Sequence, residues 1–397
     1  MTTQDFLEKY LVKRKNTNSL KWDALQERFG DSSLTAMWVA DMEFKAPEAM
    51  LEAMHKRIEH GVFGYTLISD EYYQSVIEWH QNRHGYTLEK EWFRFSYGVV
   101  TSLYWLVNAF TQVNDSILIL TPVYYPFYNA IRDNNRIIVR SELNPDETGR
   151  YHIDYDDVEK AIIENDIKMF IQCNPHNPVG RLWTEEELDK LATICQKHNV
   201  LIITDEIHQD IVLNNHKFTP AMTVKNAKHK DNLIILTSSS KTFNLACLLS
   251  SHIFIPNPKL RKTYDTYAKT VNQIEPNILG MVATQAAYTH GSEWLKGLLG
   301  VIEENYRHFS ENLKKYCPQL VITPLEGTYL CWVDLRAYIK PDEIKAIIQD
   351  ECGFAIDFGE WFSDQCKGFV RFNLATDPAI VHEATKRLIH CLNSKKK

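Results

Sequence analysis

Asn177 stands in the turn Asn177-Pro178-Val179-Gly180, Asp205 closes the apolar run Val200-Leu201-Ile202-Ile203-Thr204, and Lys241 follows Ser238-Ser239-Ser240. A turn amide, a strand-end carboxylate and a lysine amine are the groups needed to hold an aldehyde cofactor built on a pyridine ring. The amine of Lys241 condenses with the aldehyde as a Schiff base. Asp205 keeps the ring nitrogen protonated, so the ring accepts electrons, and Asn177 hydrogen-bonds the ring's phenolic oxygen. Pyridoxal 5'-phosphate (PLP) is the cofactor with those features. Singly, each residue has an ordinary reading: a surface lysine, a helix-capping aspartate, a turn asparagine. The ordered set, with spacings of 28 and 36 residues, carries the chemistry because each member falls at or just beyond the end of a predicted strand, where open parallel sheets bind ligands.

The remaining parts of such a site are also present. Gly98-Val99-Val100-Thr101-Ser102 precedes the helical run Leu103-Tyr104-Trp105-Leu106. A glycine turn opening a helix aims the backbone N–H groups of Val99 and Val100 at an anion such as the cofactor phosphate, and the hydroxyls of Ser238 and Ser240 are further donors. In Thr121-Pro122-Val123-Tyr124-Tyr125-Pro126-Phe127, Tyr124 is the candidate for stacking on the ring and Tyr125 for shuttling a proton; core or interface packing is the plain alternative for both. Arg371 lies in the strand-like Gly368-Phe369-Val370-Arg371-Phe372-Asn373. A buried arginine needs an anion, either the carboxylate of an amino-acid substrate or an internal Asp or Glu. His176 and His208 adjoin these motifs and read as structural or supporting residues. No Cys or carboxylate/His set has metal-ligand spacing, so no metal is expected.

At 397 residues the chain exceeds one ordinary core, and two domains are expected. Apolar content of 44% and charged content of 24% are those of a globular protein, and aromatic content of 12% suits a ligand pocket or a subunit interface. The net charge of −7 argues against nucleic-acid binding; the basic tail Lys395-Lys396-Lys397 reads as solvated. Eight scattered cysteines without CxxC spacing, no secretory h-region and no run of membrane-span length predict a cytoplasmic protein with reduced thiols and no membrane association.

Residues 1–45 read as an N-terminal arm, 46–285 as a large PLP-binding domain and 286–397 as a small α+β domain that the arm joins. The seven strand candidates of the large domain are 94–96, 116–120, 136–140, 169–173, 201–204, 233–237 and 252–255. Several are continuous Ile/Leu/Val runs, as in strands covered on both faces, so the fold class is α/β with a mostly parallel sheet between helices. Thr184-Glu185-Glu186-Glu187 reads as a helix start. A helix from Pro47 to about 60 and a long helical stretch around 286–310 are expected, with small-domain strands near 319–324, 329–334 and 369–374.

With these residues in view, the chain resembles fold-type-I PLP enzymes of the aminotransferase class I/II superfamily, and within it the cystathionine β-lyase/C–S lyase branch. The resemblance runs nearly end to end, through Trp38-Val39-Ala40-Asp41-Met42-Glu43-Phe44, Phe63-Gly64-Tyr65-Thr66, Val123-Tyr124-Tyr125-Pro126-Phe127, Asn174-Pro175-His176-Asn177-Pro178, Thr204-Asp205-Glu206-Ile207-His208, Ser239-Ser240-Lys241-Thr242-Phe243-Asn244, Glu326-Gly327-Thr328-Tyr329 and Gly368-Phe369-Val370-Arg371. It implies a mixed seven-stranded sheet and a homodimer with active sites at the subunit boundary, where Tyr65 reaches the neighbour's cofactor phosphate. It also adds His208 to the cofactor contacts and Ala40 and Asn177 to the substrate contacts. Two positions depart from the superfamily pattern. Leu249 stands where many aminotransferases carry a phosphate-gripping arginine, and Cys247 where a glycine is common. The missing arginine favours β-elimination from L-cystathionine, L-cysteine or another S-substituted cysteine over transamination. An aminotransferase is the alternative, and a regulatory protein on the same fold a further one, against which the intact Lys/Asp/Asn/Arg set argues.

Overall fold

The computed structural model describes residues 1–272 and 276–395; Lys396 and Lys397 of the basic tail lie outside them, as do residues 273–275 of the expected large domain. Seven strands form the main sheet: β1 (Phe93–Ser96), β2 (Ser116–Thr121), β3 (Ile137–Glu142), β4 (Ile167–Cys173), β5 (Leu201–Asp205), β6 (Leu233–Thr237) and β7 (Ser251–Phe254). Their order is β1-β7-β6-β5-β4-β2-β3. Only β7 runs antiparallel to its neighbours, so the sheet is mixed and mostly parallel, as expected. The continuous apolar runs have the anticipated cause. In β2, Ile117 and Ile119 pack with Val99, Leu103 and Tyr264 on one face, while Leu118 and Leu120 pack with Val158, Leu188 and Ile202 on the other.

The helices begin where side chains can satisfy the first free N–H groups. Thr184 and Glu187 form the predicted capping box, with Glu187 N–H donating to Thr184 Oγ1 at 3.2 Å and Thr184 N–H to Glu187 Oε2 at 2.8 Å. The helix after Pro47 spans Glu48–His60. The long stretch expected over 286–310 is two helices, Ile278–His290 and Ser292–Tyr316, parted at Gly291. A side chain there would come within 2.4 Å of the Phe243 ring, which explains a glycine at the break.

A second, antiparallel sheet follows, β8 (Val321–Ile322), β9 (Leu330–Asp334), β10 (Asp357–Phe358) and β11 (Phe369–Asn373), in the order β8-β9-β11-β10. Three of these strands were expected; the two-residue β10 was not. The N-terminal segment spans both regions. Phe6 packs edge-on to Phe44 and Trp294, and Thr35–Ala36 pairs in parallel with Phe354–Ala355. Its fully buried Lys21 is neutralised by Glu43 Oε1 at 2.9 Å. No described helix is long and apolar enough to cross a membrane.

Candidate active site

The carboxyl ends of β1, β2, β4, β5 and β6 open onto one cavity of about 200 Å³, whose lining includes Ala40, Val99, Val100, Tyr124, Asn177, Asp205, His208, Ser240 and Lys241. Topology brings them together: the parallel strands place every strand-to-helix turn on the same edge of the sheet.

Lys241 sits in the short helix Ser239–Phe243 that follows β6. Its Nζ donates to the Ala40 carbonyl at 2.7 Å, and the Tyr329 hydroxyl donates to the same oxygen at 3.0 Å. Burial lowers the amine to about 8; Asp41 and Asp205 oppose the shift and Arg371 adds to it. Two clamps present the Ala40 carbonyl. Asn373, at the end of β11, donates to the carbonyls of Val39 and Asp41 at 2.8 and 2.7 Å, and Asn244, just past Lys241, donates to that of Met42 at 2.9 Å. The turn itself is held from behind by Thr242, whose hydroxyl donates to the buried Asp210 Oδ2 at 2.7 Å.

Asp205 ends β5 directly opposite Cys173 of β4. Burial pushes its carboxyl up to about 7, against the Ile207 N–H bond at 3.0 Å and the Lys241 charge. A buried carboxylate so short of partners suits a cationic ring nitrogen. His208, 3% exposed, packs edge-on to Tyr329 at 5.7 Å. Burial, followed by the charges of Lys241 and Arg371, holds it neutral, and its Nδ1 has no hydrogen-bond partner among the described residues. Tyr124 is held by its N–H to the Asn177 carbonyl at 3.1 Å; burial raises its phenol far above the usual range, so it is a flat neutral wall.

The phosphate end is a helix N-terminus. Gly98 caps the helix Val99–Phe110 at φ 137°, and no side chain caps that end. The first-turn N–H groups therefore remain for an anion, and Ser240 lies nearby on the cavity wall. Ser238 is not brought into the cavity: its hydroxyl caps the Lys241 helix and donates to the Ser250 carbonyl at 2.7 Å. These residues fit PLP, with a lysine amine, a lone buried carboxylate, a flat phenol and an uncapped helix end around one cavity.

Besides Ser238, three expected residues are not part of the cavity wall: Tyr125, Tyr65 and Arg371. Tyr125 is 39% exposed and lies beside Phe362, with ring centroids 6.3 Å apart. Tyr65 is fully exposed and lines a different cavity with Pro276, Asn277 and Ile278. Leu249, which takes the place of the family's arginine, is 49% exposed. Arg371, 2% exposed, reaches the site through Asn177, whose Oδ1 accepts from Nη1 at 2.7 Å. It also pairs with Asp357 through Nη2, so the internal acid left open by the sequence exists. The sequence reading missed Tyr97, Thr101, Cys173, Ile207 and Ala246 in the lining. Thr101 and Cys173 carried a signal, lying in the glycine turn and at the end of a predicted strand; the others did not. Among the described residues no group of three or more His, Cys, Asp or Glu is placed to hold a metal.

Cystathionine beta-lyase PatB of Bacillus subtilis is 36% identical over 376 residues, covering 94% of this chain and 97% of that protein. The crystal structure of cystalysin from Treponema denticola, which contains pyridoxal 5'-phosphate, superposes with a TM-score of 0.92 at 33% identity, covering 97% of this chain and 98% of that one. The PLP-bound C-S lyase from Staphylococcus hominis gives 0.89 at 35% identity, covering 96% and 97%. Residues 39–388, from the segment that presents the Ala40 carbonyl to the last helix, match the aminotransferase class I and II family, and the chain belongs to it.

Proposed function

We propose that the protein is a PLP-dependent C–S β-lyase that converts L-cystathionine, L-cysteine or a related S-substituted cysteine into a thiol, pyruvate and ammonia. The observation that carries this reading is the meeting of Lys241, Asp205 and the Asn177–Arg371 pair at one cavity, in a chain whose relatives over nearly its full length are named as lyases of this kind.

Bound at Lys241, PLP supplies an electron sink for the pair left at the substrate's Cα. The residues do the rest. An amine lowered to about 8 is partly neutral at physiological pH, so Lys241 takes the Cα proton and delivers one to the departing thiolate. Asp205, ionised by a cationic partner, fixes the charge at the far end of the ring. Arg371 anchors the α-carboxylate: its buried Nε has no acceptor among the described residues, which leaves donor capacity for a ligand. Tyr125, at the rim, is a candidate to relay protons to solvent. Water completes the balance, because L-cystathionine and one water give homocysteine, pyruvate and ammonia.

The active unit is a homodimer, with Tyr65 of one subunit donating to the phosphate held by the other. The exposure of Val62, Phe63, Tyr65 and Leu67, at 56% or more each, supports a covered surface there. In this reading the chain divides at about residues 45 and 285 into an arm, a large and a small domain, with the site where the arm, the main sheet and the second sheet meet. All eight cysteines are free, the state expected in a reducing cytoplasm.

The test is to supply L-cystathionine to the holoprotein without any oxo acid and assay pyruvate and thiol. Equal amounts of both are expected. Turnover only on adding an oxo acid would make the protein an aminotransferase instead.

A further inference from the structure

Arg371 and Asp357 face one another across the β10–β11 pair, in direct register. Nη2 of the guanidinium donates to Asp357 Oδ2, while Nη1 donates to Asn177 Oδ1 at 2.7 Å. Both charged side chains are nearly sealed from water, at 2% and 4% exposure, and the Phe362 ring packs 4.8 Å from the guanidinium carbon. Each Nη group therefore already has an acceptor before any substrate arrives.

An amino acid adds a second anion to this arrangement. One guanidinium would then face two carboxylates in a place where burial makes unpaired charge costly; Asp357 and Asn177 each take one Nη hydrogen, so the substrate shares the cation and is left with Nε–H and the second hydrogen of each Nη. Burial is the main cause of the raised Tyr124 phenol, and the Asp357 charge adds to it, so Asp357 bears on the wall where a substrate would lie. We propose that Asp357 is a tethered competitor for the substrate α-carboxylate at Arg371 and thereby sets how tightly the protein holds amino acids. This rests on the reading of Arg371 as the carboxylate anchor.

The experiment titrates holoprotein with glycine, which has the α-carboxylate but no leaving group at Cβ, using calorimetry to read binding without turnover. Asp357→Asn removes the competing charge at nearly constant shape. Its Kd for glycine is expected to fall at least fivefold, and the KM for L-cystathionine to fall in the same proportion. An unchanged or weaker affinity would overturn the proposal and make Asp357 a residue that merely orients Arg371. If D357N does not fold, D357S carries the same comparison. Arg371→Gln separates the two readings. Glycine binding undiminished in R371Q refutes the anchor itself; binding lost in R371Q but not tightened in D357N refutes only the competitor.

Discussion

Lys241 is useful because its surroundings make it a poor base for a lysine. With its amine near 8, about half the side chains are neutral at pH 8, against well under 1% for an ordinary lysine near 10.4. The sign follows: protonation blocks attack on an aldehyde, so the rate of cofactor uptake by the apoprotein, followed by visible absorbance, is expected to rise with pH through about 8 and then level. A rate that climbs on towards pH 10 would mean an unperturbed amine. Asp205→Asn removes the only carboxylate that lines the cavity among the described residues, the one placed to hold the ring nitrogen cationic. Turnover is expected to drop roughly 100-fold or more, with the cofactor's visible band retained but shifted; activity within a few-fold of the wild protein would assign that charge elsewhere. At this scale the sequence was informative wherever a side chain acts at a strand end, as with Asn177, Asp205 and Lys241. Residue type alone was silent on Ala40, which only the family resemblance brought in, because its contribution is a carbonyl oxygen and a backbone acceptor leaves no mark in residue type.

Elements explain why those few groups stay in register. The carbonyl that receives Lys241 lies in a segment tied to β11 by Asn373 and to the Lys241 turn by Asn244, so two sheets distant in sequence fix one atom. Asn373→Ala removes two of those bonds. It should lower stability by about 1–2 kcal/mol, seen as a lower Tm, and raise KM by loosening the segment; an unchanged KM would show that the Asn244 clamp suffices alone. The same reasoning locates what the sequence left dark. The central strands β2, β4, β5 and β6 were legible because burial on both faces favours nearly continuous apolar runs; the edge strands β1 and β3 are only partly buried. Strand β10, two residues long, is too short for any periodicity, yet it supplies Asp357. Ser238 read as a phosphate donor from its place beside Lys241, but the first turn of that helix needed a cap and took its hydroxyl. The stretch around 286–310 kept its helical pattern through Gly291, because the contact that excludes a side chain there, with the Phe243 ring, lies far off in the chain.

At the scale of the whole molecule, one chain leaves its site incomplete in the proposed account. Tyr65 is fully exposed and lines no part of the Lys241 cavity, and the phosphate end lacks a cationic side chain at position 249. Tyr65→Phe is therefore expected to weaken cofactor binding roughly 10- to 150-fold, the value of one hydrogen bond to a charged group, while sedimentation still shows a dimer. A dimeric variant with undiminished affinity would remove Tyr65 from the site. The centre of the account remains the covalent bond between one lysine and the cofactor. Reducing the holoprotein with borohydride, digesting it and locating the pyridoxyl group by mass spectrometry tests that most directly. The label is expected on Lys241 alone; a label on another lysine, or none at all from protein saturated with cofactor, would contradict it.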